Sequence, residues 1–364
     1  LTAATTNPLL TPHRHGVPAL PNRIAMAPMT RGRADDSTGV PSEHAAAYYS
    51  ARAGAGLLIT EGISVHPLGK AGPGIPGLRT GEQVARWREI TTAVHDADGR
   101  IFAQLWHVGR MTHPVTLAGA TPTAPSAVPI TEAPIFTREG LLPHVTPRAL
   151  TIAEIRDVVA AFARAAGRAI EAGFDGIEIH GANGYLFQQF LAENTNLRTD
   201  RYGGSPQNQL RFVLEVVAAV TAEIGADRVG LRISPDNPEN QIRESHARET
   251  YRALVDALDP LGLAYLHVLE RGEYAALADL RPRWSGTLIA NHNGPTPVDP
   301  VTAERLLSAE LADVVAFGRL FITNPDLPAR IAEGLPLAGP PVEHVYGGGA
   351  RGYVDYPPAS ANVG

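Results

Sequence analysis

The sequence predicts an α/β fold, a (β/α)8 TIM barrel, on two observations. Eight short runs rich in β-branched residues alternate with longer amphipathic stretches over most of its 364 residues. No charged or low-complexity linker interrupts the alternation, so residues 1–364 read as one barrel domain. A doubly wound open sheet is the alternative, since periodicity alone does not close a sheet.

In chain order the strand-like runs are Ile24 to Met29, Leu57 to Glu61, Ile101 to Trp106 and Gly176 to His180. Val229 to Ser234, Tyr265 to Leu269, Thr287 to Asn291 and Val314 to Gly318 complete the eight. Helical patterns between them include Thr151 to Ala172, Asn208 to Ile224, His246 to Leu258 and Asp326 to Gly334. In the first, Ile152, Ile155, Val158, Val159, Phe162, Ala166 and Ile170 share one face. Thr151 followed by Glu154 is a capping-box start, and Gly173 marks the end. Residues 109–147, rich in Pro and Thr, are too long for a plain connection and predict a capping or lid hairpin after strand three. Residues 194–206 form a second excursion, after strand four. Loops that follow barrel strands build active sites, so both excursions are candidates for function.

Composition narrows the function by exclusion. With 44% hydrophobic and 19% charged residues, the chain can bury a large core. A net charge of −6 and the lack of any basic block argue against nucleic acid or an anionic membrane as partner. The absence of cysteine excludes disulfides, thiolate zinc sites, cysteine nucleophiles and cysteine-ligated iron–sulfur clusters. Lys70, the only lysine, is the sole candidate for Schiff-base chemistry. The 13 histidines show no His-x-x-x-His spacing, so no metal is predicted, and His13 and His15 are expected at the surface. No apolar stretch approaches a membrane span, and the N-terminal stretch lacks a charged start followed by an apolar run. A cytoplasmic protein is expected.

The strongest chemical signal is His-Gly-Ala-Asn-Gly-Tyr, residues 180–185, directly after a strand-like Gly-Ile-Glu-Ile. His180 ends the strand on the face where barrel enzymes keep their chemistry. Asn183 and Tyr185 follow within one tight turn. Imidazole and carboxamide can together donate to one oxygen, polarising a carbonyl and stabilising enolate charge. The nearby phenol can supply a proton. A strand-end histidine alone is more often a structural hydrogen-bonder; the three together favour catalysis.

From about Asn7 to Pro357 the chain resembles the old yellow enzyme family of flavin-dependent ene-reductases. The resemblance rests on Asn-Arg-Ile-Ala-Met-Ala-Pro-Met-Thr-Arg at 22–31, Phe-Ala-Gln-Leu-Trp-His at 102–107 and the 180–185 motif. Gly-Leu-Arg-Ile-Ser-Pro at 230–235, Ala-Phe-Gly-Arg at 316–319 and Tyr-Gly-Gly-Gly-Ala at 346–350 extend it. It implies FMN, reduced by NADPH or NADH and reoxidised in ping-pong fashion by an enone, enal, nitroalkene or maleimide. Pro28, Met29 and the Thr30 hydroxyl would meet the flavin, although Thr30 also reads as a turn residue. Gly62 would allow close approach of the ring system. Gln104 would face the pyrimidine edge, unless its amide serves loop backbone. Arg232, central in a hydrophobic strand, needs an anionic or dipolar partner; the flavin N1–C2 region or a structural salt bridge would serve. Gly318 and Arg319 resemble phosphate contacts, and a single phosphate favours FMN over FAD. Trp106 and Tyr346 would line the substrate pocket. The G-x-G-x-x-G at 347–352 follows no strand and opens no helix, so it is not a dinucleotide fingerprint.

Two positions depart from the family pattern. Gly72 stands where many relatives carry a wall-forming tyrosine, which predicts a roomier substrate pocket. Asn293 and Gly294 stand where strand seven commonly ends in Gly-Gly at the phosphate. Thr30, where one branch has cysteine, places the chain in the threonine branch. A flavin-binding barrel without turnover is the first rival reading. A barrel glycoside hydrolase using Glu61, Glu178 or Glu270 is the second. Activated alkenes are the expected partners, and a monomer or homodimer the expected state.

Overall fold

A computed structural model describes residues 7–14, 19–292 and 298–359. Its eight barrel strands are β1 (Ile24–Met26), β2 (Leu57–Ile59), β3 (Ile101–Trp106), β4 (Gly176–Gly181), β5 (Val229–Ile233), β6 (Tyr265–Glu270), β7 (Leu288–His292) and β8 (Val314–Phe317). Every neighbouring pair is parallel, and β1 pairs with both β2 and β8. The additional β2–β3 pairing, Leu58 opposite Ile101, joins the ends of the row. The sheet is therefore a closed barrel, and the open doubly wound alternative is set aside. β1 stops at Met26, earlier than the alternation suggests, because Pro28 has no N–H for the ladder. The residues after it are released toward the barrel mouth.

Helices cover the outside where the periodicity places them. Ile152–Glu171 opens on the predicted capping box: Thr151 accepts from the Glu154 backbone and Glu154 from that of Thr151. Gly81–His95, between β2 and β3, uses the same device with Thr80 and Gln83. Outward strand residues such as Ile177, Ile179, Leu231 and Leu266 join the helix faces in one core. No helix among the described residues is long and apolar enough to cross a membrane.

Inside the barrel, polarity changes along the axis. The lower layer is apolar, with Leu57, Phe102, Tyr265, Ile289 and Val314 packed together. Two glycines make room for its rings. A Cβ on Gly176 would lie 2.5 Å from Phe102, and one on Gly230 2.3 Å from Tyr265. Above it Glu178, fully buried, accepts from Gln104 Nε2 at 2.8 Å and from His267 Nδ1 at 2.7 Å. Glu178 thus points inward as a structural partner. Its desolvation is offset by two hydrogen bonds in a low-dielectric interior. Trp106, His180, Arg232 and Asn291 form the upper, polar end.

Three expectations outside the barrel need comment. His13 is a correction: it is 4% exposed, bridges Leu20 and places Nε2 2.9 Å from Thr287 Oγ1, with Leu20 closing the apolar end. His15 lies outside the described residues. The 109–147 excursion contains the hairpin Ile135–Thr137 and Gly140–Leu142, and Thr123–Ala124 pairs with Arg148–Ala149.

Gly230→Ala is expected to lower stability in urea by about 1–3 kcal/mol through overpacking against Tyr265. Adding Tyr265→Leu should shrink the increment that Gly230→Ala causes. An unchanged increment would mean that the ring is not the obstacle.

Candidate active site

The upper ends of the strands and the loops leaving them enclose a cleft of about 460 Å³. Pro28, Met29, Thr30, Gly62, Gln104, Trp106, His180, Asn183, Tyr185, Arg232, Gly318, Arg319 and Tyr346 all line it. Gly72 does not; a Cβ there would meet only the Phe136 carbonyl, at 3.6 Å. Asn293 and Gly294 lie outside the described residues. Neither excursion contributes a lining residue. Sequence reasoning missed Glu239, Asn291 and Val345. Asn291 carried a signal, being the polar residue at the mouth end of a strand whose other inward residue is Ile289. Glu239 carried none beyond lying in the loop after β5.

His180 is 5% exposed, and its Nδ1 accepts from the Ala182 backbone N–H at 3.3 Å. The proton of a neutral ring therefore sits on Nε2. Burial, then the charges of Arg232 and His267, hold the ring well below the usual imidazole range. It is a neutral donor. Asn183 adopts φ +59°, a left-handed conformation that asparagine tolerates better than most residues. Its Oδ1 accepts from Arg232 Nη1 at 3.0 Å and its Nδ2 donates to Glu239 Oε2 at 2.8 Å. Tyr185 packs edge-on against Trp106 and His180, with ring centroids 4.8 and 5.1 Å away. Burial and the nearby Glu239 charge push its phenol well above the ordinary range, so it stays protonated.

Arg232 spends Nη1 on Asn183 and Nη2 on Asn291 Oδ1 at 2.8 Å, while its Nε is buried without a partner. Both partners are neutral amides, and burial lowers its pKa. A dipolar clamp stands where a salt bridge was the alternative. Gln104 must turn its NH2 to the Glu178 carboxylate, which leaves its oxygen to the cleft. The close neighbour of Gly62 is Trp106, whose ring would lie 2.3 Å from a Cβ, so glycine is needed there to seat the indole.

The opposite wall is tied down from behind. Glu61 Oε2 accepts from the backbone of Arg31 and Gly32, both at 3.1 Å, fixing the turn after Thr30. Arg31 donates to the carbonyls of Val345 and Gly352, and Arg33 to those of His344, Gly349 and Arg351. The glycine run at 347–352 thus offers carbonyls to arginines, and Tyr346 is delivered to the cleft beside it. Glu61, Glu178 and Glu270 all lie outside the lining. Glu239 is the one carboxylate among the described lining residues, which removes the acid pair that a glycosidase needs. Lys70 binds Asp36 at 2.6 Å, also away from the cleft, so Schiff-base chemistry has no lysine.

A buried cation on the floor with neutral donors beside it suits an electron-rich planar ring. The family model of the NADH:flavin oxidoreductase / NADH oxidase family matches residues 8–338. The chain belongs to this family. Among its relatives, a probable flavin mononucleotide-dependent alkene reductase of Leishmania infantum is 40% identical, covering 96% of this chain and 97% of the relative. Morphinone reductase solved in complex with tetrahydroNAD is 42% identical, with a TM-score of 0.91 over 97% of this chain and 98% of that one. The old yellow enzyme homologue from Zymomonas mobilis gives 38% and 0.92 over 96% and 99%. The chain is thus an old yellow enzyme homologue, and FMN is its cofactor.

Burial raises the Glu61 carboxyl from 4.5 to about 7, against the two amide donors that favour its charge. Between those values the folded chain keeps a proton that the unfolded chain has lost, so this group lowers stability as pH rises through that window. Glu61→Gln should remove that slope, on the order of 3 kcal/mol across the window, in urea melts from pH 4 to 8. An unaltered slope would mean that Glu61 is ionised throughout.

Proposed function

We propose that His180 and Asn183 hold the activating oxygen of the substrate while Tyr185 protonates its α-carbon. The chain is an FMN-dependent reductase of activated C=C bonds with NAD(P)H as electron source. The observation that carries the assignment is the donor set: a neutral imidazole with Nε2–H free of backbone duty, beside a clamped carboxamide. One N–H of Asn183 is held by Glu239, and the second is left for the substrate oxygen. Donors already fixed in place need no reorganisation as enolate charge develops. A phenol kept protonated by burial releases its proton only to a strong base, which an enolate carbon is and a ground-state alkene is not.

FMN, when bound, would supply the two-electron chemistry that links NAD(P)H oxidation to reduction of the alkene. The residues present fit it. Thr30 and the Gln104 oxygen would take the pyrimidine edge, and Arg232, with its unpartnered Nε, the N1–C2 side. Gly318 and Arg319 would hold the phosphate, with Asn293 and Gly294 as further candidates. Nicotinamide and substrate would use the same place beside the flavin in turn. In this reading the chain is one barrel domain with 109–147 as its excursion. It works in the cytoplasm, where NAD(P)H is supplied, on enones, enals, nitroalkenes or maleimides, as a monomer or homodimer.

Tyr185→Phe should slow reoxidation by an enone by about 10²–10⁴-fold and leave flavin reduction by NADPH within a few-fold, read by stopped-flow absorbance. Equal loss in both half-reactions would refute the proton-donor role. The paired change His180→Ala and Asn183→Ala should weaken phenol binding, followed as a perturbation of the flavin band; unchanged affinity would contradict the oxygen seat. If NADPH bleaches the flavin but cyclohexenone does not restore it, the barrel binds flavin without turnover.

A further inference from the structure

Glu239 brings a negative charge into a cleft whose other work is to hold an anionic cofactor and a polarised oxygen. It lies in the loop after β5, in the short turn Glu239–Gln241. That turn is held hard in place. Asn240 and Gln241 both have positive φ, +56° and +58°. Arg110 Nη2 donates to both their carbonyls, at 2.8 and 3.2 Å, and Asn194 Nδ2 to that of Gln241 at 2.8 Å. Asn240 Nδ2 donates to the Asn183 carbonyl at 2.8 Å. Gly184 lets the turn come this close, since a Cβ there would lie 2.3 Å from the Glu239 carbonyl.

The carboxylate is only half answered. Oε2 takes Asn183 Nδ2, while Oε1 has no hydrogen-bond partner among the described residues. No arginine, lysine or histidine among them lies within ion-pair distance of Glu239; the Asn183 amide separates it from Arg232. A carboxylate facing a ligand cleft without its own cation favours ligands that bring one and penalises ligands that bring a second negative charge. The Arg232 charge reaches Glu239 only across the Asn183 amide, and with FMN bound the flavin ring would answer Arg232 and the phosphate Arg319.

We infer that Glu239 is a specificity-determining residue that selects activated alkenes carrying a positive charge close to the activating carbonyl. The inference rests on the oxygen seat at His180 and Asn183, since that seat puts the carbonyl next to the Glu239 carboxylate.

Maleimides test it cleanly, because a chain without cysteine is not alkylated at sulfur by them. The matched pair is N-(2-trimethylammonioethyl)maleimide and its neutral isostere N-(3,3-dimethylbutyl)maleimide. The FMN-loaded wild type should prefer the cation about ten-fold in kcat/KM at low salt, through KM, with the preference shrinking as salt is added. Glu239→Gln keeps an acceptor for Asn183 and should bring the ratio close to one. Asp236→Asn removes an equal charge from the same loop but outside the cleft and should leave the ratio intact. The ratio is unaffected by any loss common to both substrates. A wild-type ratio near one, a ratio that survives Glu239→Gln, or one that collapses equally in Asp236→Asn would overturn the inference. Equilibrium titration of the flavin band with the same pair reads the ratio without turnover. A chain that binds the pair selectively but reduces neither would retain the charge selection and lose the proposed mechanism.

Discussion

The active cleft is organised around one buried cation that makes no salt bridge among the described residues, although the Glu178 and Glu239 charges act on it from further away. Arg232 sits on a strand flanked by His180 and His267, and its hydrogen bonds go to the side-chain oxygens of Asn183 and Asn291. Amide dipoles satisfy donors but leave the charge largely in place, so the field of the guanidinium reaches its neighbours. It depresses His180, which burial already keeps neutral, and it orients Asn183 so that the nitrogen of that amide faces outward. A carboxylate in place of either asparagine would quench this field. In the proposed mechanism the chemistry draws on a neutral imidazole, an oriented amide and a cation that would face an electron-rich ring.

The cation is tolerated because the barrel separates polarity by height. Apolar rings fill the lower layer, and Glu178, His267 and Gln104 form a hydrogen-bonded layer above them. That layer lies between the apolar rings and the cleft lining. It also turns the oxygen of Gln104 upward by engaging its nitrogen from below. Orientation at the mouth is thus set by contacts one layer down, which is where preorganisation has to be built if donors are not to move during reaction.

Much of this was legible from residue order. Strand number followed from alternation, His180 and Gln104 from their parity on strands that point every second side chain inward, and Arg232 from being a guanidinium in the middle of a hydrophobic strand. The Thr151 capping box was likewise readable. What could not be read depends on loops meeting across the barrel. Glu239 reaches the cleft from a turn after β5 that Arg110, from the loop after β3, helps to fix. His13 reads as a surface residue until the N-terminal bridge with Leu20 folds it beneath the barrel. The role of Gly72 was anticipated from a position in a pattern, but the chain there runs under the Phe136 backbone rather than along the cleft.

The excursion after β3 gains a physical meaning from the same contacts. None of its residues lines the cleft, yet its start carries Arg110, buried and pushed down to about 10 by that burial. The guanidinium donates on one side to the carbonyls of Val128 and Pro129 and on the other to those of Asn240 and Gln241. Thr131 adds its backbone N–H to the Gln241 side chain. A segment that looks like a cover thus acts as a brace, holding two left-handed residues in conformations that their side chains disfavour. The position of Glu239, and through it that of the Asn183 amide, is therefore held by a part of the chain that does not line the cleft.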